Sequence, residues 1–171
     1  MNEPLQLTAM FTRDLLAHDE SLMTIGRIGA DIADFSVNYI GIDSLGAAAR
    51  LATGESYDGE NEIMTHAQQW QEPVTVSFYG ANAWDNAARF ALLIGSQSSF
   101  ELQCNLGIGV FQASTITDVK IIAGEQYGNR FEIGLNIRFG ISSLVDVLRI
   151  DTARLELWTE NNKIEEFTDE Y

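Results

Sequence analysis

The chain is organised around EPVTVSFYGANAWDNAARFALLIG (residues 72–95), which predicts a strand, a tight turn and a helix in succession. Apolar and polar residues alternate up to Tyr79, as in a strand with one buried face. Gly80 permits a sharp turn, because a residue without Cβ adopts backbone angles that other residues avoid. Asn82 suits the N-cap of the following helix, and Asp85 in the first turn complements the helix dipole. The predicted apolar helix face consists of Trp84, Ala87, Ala88, Ala91, Leu92 and Gly95, widened by Phe90, Leu93 and Ile94.

A second stretch, NRFEIGLNIRFGIS (129–142), predicts a long strand. Its apolar residues occupy every second position, which is the pattern of a strand with one face in the core. These residues are Phe131, Ile133, Leu135, Ile137, Phe139 and Ile141. The opposite face carries Arg130, Glu132, Gly134, Asn136 and Arg138. We expect that charged face to be solvated or to contact a polar partner.

The N-terminal half of the chain predicts one helix and several strands. A helix is expected at about 4–18, and a strand at 37–45. The segment 46–54 is rich in helix-forming residues but is flanked by glycines, so a short helix and an extended segment are both compatible with it. Residues 55–62 are acidic and carry an Asp-Gly pair typical of a hairpin turn. Residues 63–70 then form the second arm of that hairpin or a separate strand.

The C-terminal half predicts an antiparallel set of strands. A loop at 96–99 and an apolar but irregular segment at 100–110 follow the predicted helix, because two glycines argue against a long element there. A strand at 116–123 is expected to form a hairpin with the long strand. Further strands are predicted at 145–150 and 153–158. The acidic tail, about 160–171, is typical of a mobile and solvated terminus.

Composition places the chain among folded soluble proteins with one domain over residues 1–171. The length of 171 residues is enough to bury a core, and 46% of the residues are hydrophobic. The predicted class is α+β, mainly an antiparallel sheet flanked by helices. The net charge of −15 argues against specific binding of nucleic acid or of an anionic membrane, both of which need clustered Lys and Arg. No membrane span and no signal peptide are expected.

The acidic and histidine residues do not predict a metal site. His18 and His66 lie far apart in the sequence and lack partners at ligand spacing, so surface histidines are expected. Asp58, Glu60 and Glu62 alternate as calcium ligands sometimes do, but the glycine that an EF-hand loop needs is missing. A solvated acidic loop is the better interpretation.

The sequence also predicts no catalytic residue and no cofactor. The segment 107–112 has two glycines of a dinucleotide-binding turn and lacks the third. Cys104 lies among apolar residues without a nearby histidine, which favours a buried and inert thiol. Asp31 and Asp34 are close enough in the sequence to be imagined as a carboxylate pair, but the spacing is the only feature that suggests it. We therefore expect a protein that is not an enzyme.

The order of these parts resembles that of the terminator, or neck-completion, proteins of tailed bacteriophages. The resemblance covers roughly residues 35–158. It rests on VTVSFYGANAWDNAARF (74–90), LQCNLGIGV (102–110), ITDVKIIA (116–123) and QYGNRFEIGLNIRF (126–139). The positions that match the family pattern are Tyr79, Gly80, Ala83, Ala87, Tyr127 and Arg130.

The resemblance implies a structural protein of the virion, assembled in the host cytoplasm. Such proteins form a ring, usually of six copies, that caps the tail tube and joins it to the head-proximal connector, the stopper or portal-side neck protein. They have no active site, and DNA passes through the ring without specific binding. Six copies at −15 each would carry −90, which suits a channel that repels DNA. The alternatives are a head-completion or stopper protein of the same neck, and a small binding module or unrecognised enzyme unrelated to phages.

A closed ring needs two different and complementary patches on each subunit. The candidate interface residues are Arg130, Glu132 and Arg138 on one side, and Asp85 or the acidic loop with Asp58 and Glu60 on the other. The alternative for each arginine is an intramolecular pair or a solvated side chain.

Overall fold

A computed structural model describes residues 4–26, 37–119, 121–123, 126–147, 152–159 and 162–170. The helices are α1 (Pro4–Leu16), α2 (Ala83–Leu93) and α3 (Gln97–Leu106), and a short 3-10 helix spans Glu20–Leu22. The strands are β1 (Met23–Ile25), β2 (Ile40–Ser44), β3 (Ala49–Asp58), β4 (Ile63–Tyr79), β5 (Ile108–Gln112), β6 (Thr117–Asp118), β7 (Ile121–Ala123), β8 (Gln126–Gly128), β9 (Arg130–Asp146), β10 (Thr152–Thr159) and β11 (Asn162–Glu170).

The described strands form one mixed sheet and two small ones. The main sheet has the order β1-β2-β4-β9-β5, with β3 paired to β4 and β6 paired to β9. Strand β1 runs parallel to β2, whereas β2 is antiparallel to β4, and β5 and β6 are antiparallel to β9. The pairs β7–β8 and β10–β11 form separate antiparallel sheets. The predicted α+β class is confirmed.

The chain divides into two compact units. The first comprises residues 1–53 and 68–141, and the second comprises residues 54–67 and 142–171. In the second unit, the backbone N–H of Val147 donates to the carbonyl of Glu62 at 2.8 Å. The single domain expected over 1–171 stays a prediction.

The core of the first unit lies between the main sheet and the helices. The alternation predicted for β9 is confirmed, because Ile133, Leu135 and Ile137 are buried and the residues between them are only half-buried. In β4 the predicted apolar residues are buried too, but so are Thr75, Ser77 and Tyr79 between them. The buried strand residues are Val74, Val76, Phe78, Ile133, Leu135 and Ile137, and the helices contribute Phe11, Leu15, Leu16, Ala83, Ala87 and Phe90. The opposite face of the two strands carries mostly polar side chains, which are buried at the end of β4 and half-buried or exposed along β9.

The turn between β4 and α2 requires a glycine. Gly80 has a φ of +98°, and a Cβ built there would lie 2.6 Å from the carbonyl oxygen of Val37. Asn82 occupies the N-cap of α2 as predicted, but its side chain makes no capping hydrogen bond. Instead, Asn38 Oδ1 accepts a hydrogen bond from the Asn82 backbone N–H at 3.0 Å. A residue distant in sequence therefore fixes the start of this helix.

The predicted face of α2 is confirmed at Ala87 and Phe90 and is wrong at Trp84 and Leu92. Ala83, Ala87 and Phe90 are buried, whereas Trp84 and Leu92 are 53% and 79% exposed. Helix α2 has apolar residues around most of its circumference, so the pattern alone does not determine which side packs on the sheet. The three buried residues are spaced i, i+4 and i+7 and form the face that meets the core.

Of the segments on either side of the organising stretch, the earlier one agrees with one of the alternatives left open and the later one does not agree with the prediction. Residues 49–54 are extended as part of β3, and β3 pairs with β4 across a turn at residues 59–62, as the hairpin interpretation predicted. The loop and irregular segment predicted at 96–110 are wrong, because α3 fills most of this range. Ser96 caps α3 by accepting from the Ser99 N–H at 3.2 Å, and Gly107 ends it with a φ of +66°. These two termini hold a helix of weak apolar pattern in place.

Several other bounds also differ. Helix α1 ends at Leu16 and not at about residue 18. The strand predicted at 116–123 is divided into β6 and β7, and only β6 pairs with β9. In place of the acidic tail expected from about residue 160, residues Asn162–Glu170 form β11 and pair with β10. Asp31 and Asp34 lie outside the described residues.

Candidate functional site

The polar face of β4 and β9 brings charged residues together on the first unit. Arg130 and Glu132 are neighbours on one face of β9 and form an ion pair. The Arg130 guanidinium lies over the Tyr79 ring, with its carbon 5.3 Å from the ring centroid. Ser77 Oγ donates to Glu132 Oε1 at 3.2 Å and accepts from Arg130 Nη2 at 3.4 Å. These contacts form an intramolecular network at this end of the face, although the buried Arg130 Nε has no hydrogen-bond partner among the described residues.

The network is partly withdrawn from solvent. The side chains of Arg130 and Glu132 are 28% and 24% exposed, and Ser77 and Tyr79 are buried. Burial raises the pKa of the Tyr79 hydroxyl, while the nearby Arg130 charge acts in the opposite direction. Arg130 thus has the intramolecular pair that was the alternative from the sequence. An interface role for Arg130 and Glu132 stays a prediction.

Arg138 lies further along β9 and has a different environment. Its Nε donates to Gln71 Oε1 at 2.9 Å, and its guanidinium carbon lies 4.6 Å from the centroid of the Phe111 ring. Within the described part of the chain, Arg138 has no carboxylate partner. We call Arg138, Gln71 and Phe111 the Arg138 patch.

Sequence reasoning found Arg138 but missed its two neighbours. Gln71 lies an even number of residues from Thr75 and Ser77 on β4, so the alternation of the strand places it on the same polar face. Phe111 lies on β5, where it is opposite Asn136 of β9 and is 47% exposed. Its position beside Arg138 depends on the register between β5 and β9, which the sequence does not specify.

The hairpin turn of the second unit presents the acidic residues. Asp58 Oδ2 accepts from Asn61 Nδ2 at 2.7 Å, and Asp58 Oδ1 accepts from the backbone N–H groups of Glu60 and Asn61 at 3.0 and 3.4 Å. These hydrogen bonds, above all the one from the Asn61 side chain, lower the pKa of the Asp58 carboxyl. Glu55 Oε1 lies 3.1 Å from His66 Nδ1. The turn is therefore an ordered, acidic and exposed element.

A family model described as phage neck terminator protein matches residues 11–161 of this chain. The match spans most of the 171 residues. The chain belongs to the phage neck terminator protein family. A comparison with curated proteins found no match.

Membership of the neck terminator family makes this a structural protein of the phage neck, located at the tail and neck of the virion. The positions singled out by the resemblance lie mainly in the strand, turn and helix at its centre. Tyr79 is buried against Arg130, Gly80 forms the turn, and Ala83 and Ala87 are buried at the helix–sheet contact. Tyr127 lies in β8 opposite Ile122.

Within the described ranges, no group of three or more His, Cys, Asp or Glu residues is arranged to hold a metal ion. Cys104 is exposed on α3, so the predicted buried thiol is wrong. Helix α3 is only weakly amphipathic, and Cys104 lies on its solvent-exposed side. His66 is exposed, as expected for a surface histidine. None of the described helices is long and apolar enough to cross a membrane.

Two candidate surfaces therefore stand out in this family member. The Arg138 patch is an exposed cation beside an exposed aromatic ring, and the hairpin turn is an exposed group of carboxylates. Asp85 is also exposed on α2, in the first turn of the helix. The Arg138 patch suits a contact with another protein, because interfaces are enriched in arginine and aromatic residues. The exposed carboxylates offer the charge complementary to its guanidinium.

Proposed function

We propose that this protein is a tail terminator, which forms a ring that caps the tail tube and joins it to the head-proximal connector. The family match over residues 11–161 carries this proposal. The ring would contain six copies, as the resemblance in sequence implies. It would assemble in the host cytoplasm and act without catalysis, cofactor or membrane contact.

The charge of the chain supports a channel through which DNA passes. Each chain carries −15, so a ring of six carries −90. A field of this sign repels phosphate groups, and the DNA would slide past without being held. The ring would thus guide DNA from the connector into the tube without binding it.

The two exposed surfaces support a closed assembly. Head-to-tail contacts generate a ring only when each subunit has two different patches that match each other. The Arg138 patch offers a cation and an aromatic ring, while the hairpin turn and Asp85 offer carboxylates. Neck proteins on the two sides of the ring would contact its remaining faces.

Binding to purified tail tubes tests the terminator function directly. The protein should co-sediment with assembled tubes and appear by electron microscopy as a cap at one end. A purified portal-side connector, incubated without tubes, serves as the comparison. Binding to the connector together with complete absence from tube ends would contradict the terminator function and favour a stopper.

A further inference from the structure

We propose that the Arg138 patch receives the acidic hairpin turn of a second copy of this chain, with Glu60 as the carboxylate that pairs with Arg138. This inference rests on the proposed ring and specifies the contact between its neighbouring subunits. It separates the two arginines named from the sequence, because Arg130 is already paired within its own chain.

The Arg138 guanidinium is held in position before any partner arrives. Stacking on Phe111 fixes its plane, and the hydrogen bond from Nε to Gln71 fixes its rotation. Both terminal nitrogens lack a hydrogen-bond partner among the described residues. These nitrogens are the pair of donors with which arginine binds a carboxylate in a bidentate manner.

The patch also has space and exposure suited to a contact. A Cβ built on Gly109 would lie 3.0 Å from the Phe111 ring, so the glycine allows the ring to lie back over the sheet towards Arg138. Phe111 is 47% exposed despite its apolar ring. An exposed aromatic ring beside an ordered arginine is typical of the residues that contribute most to protein–protein binding.

The hairpin turn has the complementary charge. Residues 54–67 contain four carboxylates and no lysine or arginine. Asp58 is occupied by hydrogen bonds within the turn, and Glu55 lies against His66. The Glu60 side chain is exposed and makes no hydrogen bond or ion pair with the described residues. The Glu62 side chain also makes no such contact with the described residues but is only half-exposed, so Glu60 is the better placed of the two to meet a partner.

Asp85 is the weaker candidate for this contact. It lies in the first turn of α2, where the helix dipole already stabilises its charge. Arg89 lies four residues later on the same side of the helix and offsets that charge. The hairpin turn contains no lysine or arginine that would offset its negative charge, so it attracts the unpaired Arg138 guanidinium more strongly than Asp85 does.

The turn and the patch are different surfaces, as a ring requires. Each subunit would donate its turn to one neighbour and its patch to the other, which is the head-to-tail arrangement of a closed ring. Every junction of the ring would then repeat the same pair of residues. This property makes the contact testable by mixing variants.

The experiment compares Arg138→Glu, Glu60→Arg and their equimolar mixture by native mass spectrometry over a range of protein concentrations. Each single variant places like charges at every junction, and its association should be weaker by about tenfold or more. In the mixture, an alternating ring of six has a carboxylate opposite a guanidinium at every junction, so assembly should return. Arg89→Glu changes the net charge by the same amount and should assemble like the parent. Circular dichroism verifies that each variant is folded.

The outcomes separate the contact from the ring. If the parent protein forms a ring and Arg138→Glu forms it equally well, the proposed contact is wrong but the ring is not. The same conclusion follows if Arg89→Glu loses as much assembly as Arg138→Glu. If the single variants fail to assemble and mixing them does not restore assembly, the hairpin turn of another copy is not the partner of the Arg138 patch. A parent protein that stays monomeric at every concentration would contradict the ring, and the contact with it.

Discussion

Phe90→Ala is expected to lower the free energy of unfolding by about 3–5 kcal/mol, as large-to-small substitutions of buried aromatic residues do. Phe90 is fully buried, and its ring centroid lies 6.3 Å from that of Phe11 and 5.6 Å from that of Phe78. The substitution removes the ring that joins α1, α2 and β4, and the surrounding backbone cannot close the cavity. Urea unfolding followed by circular dichroism measures the change.

Leu92→Ala is the matched control for this substitution. Leu92 lies on the same helix and is 79% exposed, so its truncation should change the free energy of unfolding by no more than about 0.5 kcal/mol. The sequence pattern had placed Leu92 on the buried face. A cost at Leu92 equal to that at Phe90 would contradict the exposed position that the structure gives Leu92.

Gly80→Ala is expected to destabilise the fold by about 3 kcal/mol or more. Its φ of +98° is costly for any residue with a side chain. The added methyl group would also lie 2.6 Å from the Val37 carbonyl oxygen and 2.7 Å from Asn38 Oδ1. Because Asn38 Oδ1 binds the Asn82 N–H, any displacement would also disturb the start of α2. Thermal and urea unfolding measure the loss.

Gly95→Ala provides the comparison for Gly80. Gly95 has no heavy atom within 4 Å of a built Cβ, and its φ is not in the positive range. Its substitution should therefore be tolerated, within about 0.5 kcal/mol of the parent. Equal unfolding midpoints for the two alanine variants would show that the close approach at Gly80 is wrong.

The apolar face of the long strands was predictable because it follows from local alternation, whereas the burial of Thr75 and Ser77 on the other face of β4 depends on what packs over them. Ile133, Leu135 and Ile137 are buried as the pattern of apolar residues required. The face of α2 was not predictable, since Ala83 and Trp84 are both apolar and only the packing of α1 and the sheet selects one of them. Helix α3 was missed because Ser96 and Gly107 define its ends, while its interior has little apolar pattern.

The candidate site also has one part that the sequence predicted and one part that it did not. Arg130 and Glu132 are two residues apart on one strand face, so their pairing follows from the alternation that predicted the strand. The stacking of Arg138 on Phe111 depends on which residue of β5 lies beside it in the sheet. Strand register between residues that lie 27 positions apart in the sequence is a tertiary property, so the sequence identified the arginine and not its neighbours.

The measurement that tests the central claim most directly is the native mass of the purified protein, followed by electron microscopy of the same sample. A ring of six copies of a 19.0 kDa chain has a mass of about 114 kDa and should appear as a closed assembly with a central opening. A solitary 19.0 kDa subunit at every concentration, with no ring in the micrographs, would contradict the account.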